Sequence, residues 1–113
     1  MLNPSTLRAA LEFRRARDWE QFHTPRNLAI AISVEAGELL EQFQWLISPD
    51  ARPADESTLL IEQEVADIAI LLSYLANDLG IDIDSAVQRK LALNAQRYPV
   101  DKSRGTATKY NKL

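Results

Sequence analysis

Apolar side chains recur along most of this chain at the three- and four-residue steps of an amphipathic helix. Strict alternation, the mark of a half-buried strand, is nearly absent. Four helical stretches follow from the pattern. The first runs from about Pro4 to Arg17, with Leu7, Ala10 and Leu11 on one face and Arg14/Arg15 at the same spacing. Asn3 is placed to cap it, and Pro4 suits the first helical position. A polar-aromatic connector, Asp18-Trp19-Glu20-Gln21-Phe22-His23, leads to a second cap-and-proline pair, Thr24-Pro25. From there the second helix is expected to reach about Leu46. Ser48-Pro49-Asp50 ends it, and Ala51 to Glu56 reads as a loop. The third helix spans roughly Ser57 to Leu79 and stops at Gly80, the expected glycine just past a helix end. Asp82 or Asp84 caps a fourth, which runs to about Arg97 before Tyr98-Pro99 breaks it. The expectation is a single all-α domain over residues 1–99, a four-helix, bundle-like subunit. Residues 100–113 form a polar, basic tail that composition alone reads as disordered.

Composition narrows the function classes. The chain has 113 residues, 46% hydrophobic and 26% charged, which suits one domain small enough for self-association to matter. With 13 Lys+Arg against 16 Asp+Glu it lacks the basic footprint of a nucleic-acid-binding module. The absence of cysteine excludes disulfides, thiolate-zinc sites and a Cys nucleophile. The opening residues do not read as a signal peptide, and no window reaches the ~18 apolar residues of a membrane span. No membrane partner is expected, and a cytoplasmic location is.

Position gives the acids their meaning. The apolar stripe of the second helix reads Leu28, Ile32, Glu35, Leu39, Phe43, Leu46, with Glu35 at a core-facing place. Glu38 lies one turn on, about 60° around the helix, and Glu41 another turn beyond it. In the third helix the stripe Leu60, Ile68, Leu71, Leu75, Leu79 is interrupted by Glu64 and Asp67. A single E-x-x-E pair is common on solvent-facing helices, but two pairs that both break core rows are a different matter. An ionised carboxylate taken out of water costs several kcal/mol even after relaxation. Neither helix has Lys or Arg facing these positions, so a hard divalent cation, Mg²⁺, Mn²⁺ or Ca²⁺, is the better neutraliser. Di-iron bundles need Glu-x-x-His pairs. The only histidine, His23, lies in the connector, which disfavours redox iron.

Glu35-x-x-Glu38-x-x-Glu41 followed by Glu64-x-x-Asp67 resembles the paired motif of the all-α nucleoside triphosphate pyrophosphatases, the MazG-like superfamily. Lys90-x-x-x-Asn94-x-x-Arg97-Tyr98-Pro99 is similar to a further element of that group. The run Arg17-Asp18-Trp19-Glu20-Gln21-Phe22-His23, with Phe43-Gln44-Trp45 and the tail's Ser103-Arg104 and Lys109-Tyr110, resembles its dCTP pyrophosphatase branch. The resemblance implies Mg²⁺-dependent hydrolysis of a nucleoside triphosphate to the monophosphate and pyrophosphate, with Mn²⁺ as a substitute metal. It also implies a homo-oligomer, a tetramer built as a dimer of dimers. Glu35, Glu38, Glu64 and Asp67 would be the metal ligands, with Glu38 and Glu41 the catalytic acids and Glu41 orienting water or supporting a ligand. Two positions depart from the family pattern: a first-helix histidine is Ala10 here, and a tyrosine one turn after the E-x-x-D pair is Leu71. Both bear on base discrimination and phosphate contact and leave the metal motif intact.

Triphosphate hydrolysis asks a protein chiefly for charge neutralisation and positioning. Lys90, Arg97, Arg104 and Lys109 would complement phosphate charge, and Asn94 and Tyr98 would hydrogen-bond phosphate or sugar oxygens. Trp19 and Trp45 are the candidate base-stacking surfaces, with His23 nearby, since base stacking on aromatic rings is worth about 1–3 kcal/mol. The preferred substrate is expected to be dCTP or a C5-modified dCTP, in nucleotide-pool sanitation. The alternatives are a broader MazG-like hydrolase of other or damaged nucleotides and a non-catalytic helical interaction module.

Overall fold

The computed structural model describes residues 1–46, 48 and 55–113. Every regular element among them is helical, as the apolar periodicity requires. The chain divides into two compact units, Met1–Gly80 and Ile81–Leu113.

The first unit holds α1 (Pro4–Ala16), a 3-10 turn (Glu20–Phe22), α2 (Pro25–Glu41) and α3 (Asp55–Asp78). Asn3 caps α1 by accepting a 2.9 Å hydrogen bond from the Thr6 amide. Thr24 does the same for α2, from the Asn27 amide at 3.2 Å. Both helices carry proline in the first turn, where no donor is lost. α2 stops at Glu41 although the apolar pattern continues through Phe43 and Leu46. Gln42, Phe43 and Leu46 donate their amides three residues back, to Leu39, Leu40 and Phe43, which tightens the chain out of the α-helix. Pro49, Asp50 and most of the expected loop lie outside the described residues. α3 opens at Asp55, slightly earlier than the pattern suggests, and ends before Gly80, whose φ of +67° needs a residue without a Cβ.

α2 packs along α3, and α1 packs against α3. The buried apolar residues among those described are Leu28, Tyr74 and Ala76, of which Leu28 is fully enclosed. Arg14, only 4% exposed, is fastened to Asp78 at the end of α3 by two 2.8 Å bonds and lies 4.5 Å from the Tyr74 ring centre. The Tyr74 hydroxyl donates to the Ala10 carbonyl at 2.7 Å. α1 is thus tied to α3 by a two-pronged charge-assisted contact and a phenol. Much apolar surface stays open: Ile30, Val34 and Leu40 on α2 and Leu59, Val65 and Leu72 on α3 are all exposed.

The second unit contains α4 (Ile83–Arg97), the short α5 (Val100–Ser103) and a terminal 3-10 turn (Tyr110–Lys112). Asp82 is the cap of α4, accepting from the Ser85 amide at 3.2 Å. The tail is not structureless: α5 follows Pro99 directly, and the Tyr110 ring packs edge-on against Tyr98 with centroids 6.0 Å apart. No helix among the described residues is long and apolar enough to cross a membrane.

Candidate active site

The acids that break the apolar stripes meet. Glu35 on α2 and Glu64 and Asp67 on α3 each offer a carboxylate oxygen within 4.8 Å of the others. The three-residue step between Glu64 and Asp67 puts both on one face of α3, and the packing of α2 along α3 sets Glu35 opposite. Glu35 and Glu64 are half-buried, and Asp67 is exposed. Glu35 Oε2 and Glu64 Oε2 are buried atoms without a hydrogen-bond partner. None of these acids is ion-paired to Lys or Arg among the described residues.

Crowding leaves its mark on proton affinity. The neighbouring Glu64 carboxylate, with burial second, holds the Glu35 carboxyl above the usual glutamate range. Proximity to Glu35 raises Glu38 in turn, and the charge of Glu41 adds to it. Glu38 therefore belongs to the same cluster, half-buried one turn along α2, while Glu41 is the exposed last residue of that helix. Orphaned, buried oxygens in a set made only of carboxylates fit a divalent cation that takes hard oxygen donors. The site residues present are the right type and number for such a metal.

A cavity of about 610 Å³ opens beside the acids, and Glu35 and Asp67 form part of its lining. Phe13, Trp19, His23 and Tyr74 supply aromatic wall, and Ala10 and Leu71 also line it. The connector supplies Trp19 and His23 to this wall. Asp18 adopts φ +54°, a left-handed turn that asparagine-like side chains tolerate best. Gln21 steadies this turn by donating to the Asp18 carboxylate at 2.8 Å. The turn brings the Trp19 amide back to the Arg14 carbonyl at 3.2 Å and sets its ring edge-on to Phe13, 5.7 Å between centroids. His23 then lies 5.5 Å from the Tyr74 ring. Burial, with the nearby Arg14 charge, pushes His23 below the usual imidazole range, so the ring is neutral near pH 7. Its Nδ1 is buried without a partner.

The first unit thus gathers Glu35, Glu38, Glu64, Asp67, Trp19 and His23 in one region. Trp45 is not in the cavity wall; it follows α2 and is 84% exposed. In the second unit Lys90, Asn94 and Arg97 lie at helical spacing on one face of α4, with Tyr98 next to it. Arg104 and Lys109 are exposed in the tail. Phe13 and Tyr74 were not singled out by the sequence reading. The available signal was Tyr74 near the apolar row of α3, which core packing explains equally well, while Phe13 lies off the apolar face of α1 and is 48% exposed.

Two helices thus bring Glu35, Glu64 and Asp67 within reach of one cation, with Glu38 one turn along α2, beside a cavity with an aromatic wall. Residues 30–113 match the model of the MazG-like family, and the chain belongs to that family. It is 47% identical over 106 residues to dCTP pyrophosphatase 1 of Mus musculus and 45% identical over 107 residues to that of Bos taurus. Each match covers 90% of this chain and 62% of the relative, so the chain spans somewhat under two thirds of their length. A crystal structure of a pyrophosphatase from Archaeoglobus fulgidus aligns with a TM-score of 0.73 at 40% identity, covering 84% of this chain and 90% of that one.

Proposed function

We propose that this protein is a metal-dependent nucleoside triphosphate pyrophosphohydrolase that converts dCTP, or a C5-modified dCTP, to the monophosphate and pyrophosphate. The observation that carries this reading is the position of the cavity: its aromatic wall adjoins a carboxylate cluster with two orphaned oxygens. The names of the relatives point the same way. Glu35, Glu38, Glu64 and Asp67 would hold Mg²⁺, with Mn²⁺ as a substitute. When bound, the ion supplies charge neutralisation to the triphosphate and helps to orient it. Glu38 and Glu41 then accept hydrogen bonds from the attacking water and fix its approach. Trp19 and His23 stack on or edge the base and keep bulk water from that side, and Trp45 is a further stacking surface. Lys90, Asn94, Arg97, Tyr98, Arg104 and Lys109 bind the phosphates and sugar.

The assembly we propose is a dimer-based tetramer, since isolated helices cannot leave Ile30, Val34, Leu40 and Leu72 to water without cost. A cytoplasmic place in nucleotide-pool sanitation suits the substrate.

One observation favours a second reading, tolerance of several bases. The Tyr74 hydroxyl is already committed to the Ala10 carbonyl, and Ala10 and Leu71 bring no polar side-chain group to the wall. At these three positions the wall offers a base shape rather than a hydrogen-bonding edge, which leaves Thr6, Trp19 and His23 as its neutral polar groups. A panel of dNTPs at fixed Mg²⁺ separates the readings: preference of at least tenfold for cytosine supports the first. The activity itself is tested by Glu38→Gln and Asp67→Asn. Both should abolish metal-dependent pyrophosphate release with helix content intact, and wild-type turnover in either refutes the ligand assignment.

A further inference from the structure

The C-terminal segment makes a contact that neither the acid cluster nor the cavity requires. The Arg97 guanidinium lies 4.6 Å from the centre of the Tyr110 ring, and that ring is braced edge-on by Tyr98, 6.0 Å away at 80°. Arg97 closes the last turn of α4, where a cation already complements the helix dipole. Among the described residues it has no carboxylate partner, so its charge is not consumed by an ion pair. Tyr110 is held in turn by the terminal 3-10 turn, in which the Lys112 amide reaches the Lys109 carbonyl at 2.9 Å. A ring face orients a guanidinium without neutralising it and without taking up its N–H donors. An arginine free in water loses rotamer entropy whenever it binds an anion; one already seated on a ring loses less.

We propose that Tyr110 is a positioning residue: its ring presets the Arg97 guanidinium for a polyphosphate ligand, so that the tail contributes to triphosphate affinity through Arg97. This rests on the reading of Arg97 as a phosphate-binding cation, and the experiment separates failure of the two. The full chain and its variants Tyr110→Leu, Tyr110→Phe, Arg97→Gln and the Tyr110→Leu/Arg97→Gln double variant are compared. Calorimetry gives the Kd for inorganic tripolyphosphate without metal, and steady-state kinetics with Mg²⁺ and dCTP give KM and kcat.

Tyr110→Leu should weaken tripolyphosphate binding and raise KM roughly threefold, about 0.7 kcal/mol at ~1.4 kcal/mol per tenfold, with kcat unchanged. Tyr110→Phe, which keeps the ring face, should behave as the wild type. In the Arg97→Gln background Tyr110→Leu should add nothing, since its effect passes through Arg97. A further threefold loss there, or equal losses for Leu and Phe, overturns the positioning role. So does a wild-type Tyr110→Leu beside a weakened Arg97→Gln. If Arg97→Gln itself binds and turns over as the wild type, the phosphate reading of Arg97 falls and the proposal with it.

Discussion

Removing the Asp78 carboxylate by Asp78→Ala should be among the most damaging single changes in the first unit. Asp78 receives two 2.8 Å bonds from Arg14, whose side chain is 5% exposed while that of Asp78 is 26% exposed. Breaking a fully buried ion pair from one side costs about 3–5 kcal/mol, because the remaining charge is stranded. Here the carboxylate is a quarter open to water and Arg14 keeps its contact with the Tyr74 ring, so about 2–3 kcal/mol is the reasonable range. Unfolding entropy near 2.1 cal/mol/K per residue over a chain of this length converts that to a Tm lower by about 8–13 °C. The assay is thermal unfolding by circular dichroism at matched protein concentration and pH 7. The Arg14 bonds hold Asp78 below the ordinary value of 3.8, so the pair's contribution is present above that pH. It is lost as pH falls through the lower folded-state pKa, and the gap between wild type and variant should close in strong acid. A loss under about 2 °C at pH 7 would refute the view that this pair ties α1 to α3.

Two further outcomes follow from shifted proton affinities. Because burial holds His23 below its ordinary 6.5, the unfolded chain binds that proton more readily. Wild-type stability should therefore decline as pH falls below about 6.5, and His23→Leu should lack this component in urea titrations at stepped pH. Glu35 is raised instead, so in chelator-treated protein its favourable contribution exists below the ordinary 4.5 and is lost as pH rises through the folded-state value. Glu35→Gln should therefore raise the Tm of the metal-free chain at pH 7 while removing stabilisation by added Mg²⁺. A metal-free Tm below the wild type at that pH would show that the carboxylates do not repel.

Much of the fold was legible because its signals are local. Asn3-Pro4, Thr24-Pro25 and Asp82 act within a single turn, and Gly80 needs only its own backbone angle. The acid cluster was legible for another reason: Glu35, Glu64 and Asp67 all interrupt apolar rows, although only Glu35 and Glu64 prove half-buried and Asp67 is exposed. The end of α2 was not, since Phe43 and Leu46 keep the helical spacing while the amide bonds shorten to three residues. Nor was the Arg14–Asp78 pair, whose partners are 64 positions apart with nothing in the local pattern of either to announce the other. Phe13 and Tyr74 line the cavity through tertiary placement, α1 against α3 and Trp19 turned back onto Phe13, which no local pattern announces. Trp45 and Trp19 look alike in sequence, yet one is 84% exposed and the other lines the cavity.

The proposed reaction cleaves a nucleoside triphosphate between the α- and β-phosphates at the acid cluster and its neighbouring cavity. Phosphorus NMR of the full chain incubated with dCTP and Mg²⁺ tests it most directly. The expected result is dCMP and pyrophosphate in equal amounts with no orthophosphate, and neither product with Asp67→Asn. Release of orthophosphate with dCDP, or no turnover by the folded wild-type chain on any dNTP, would contradict it.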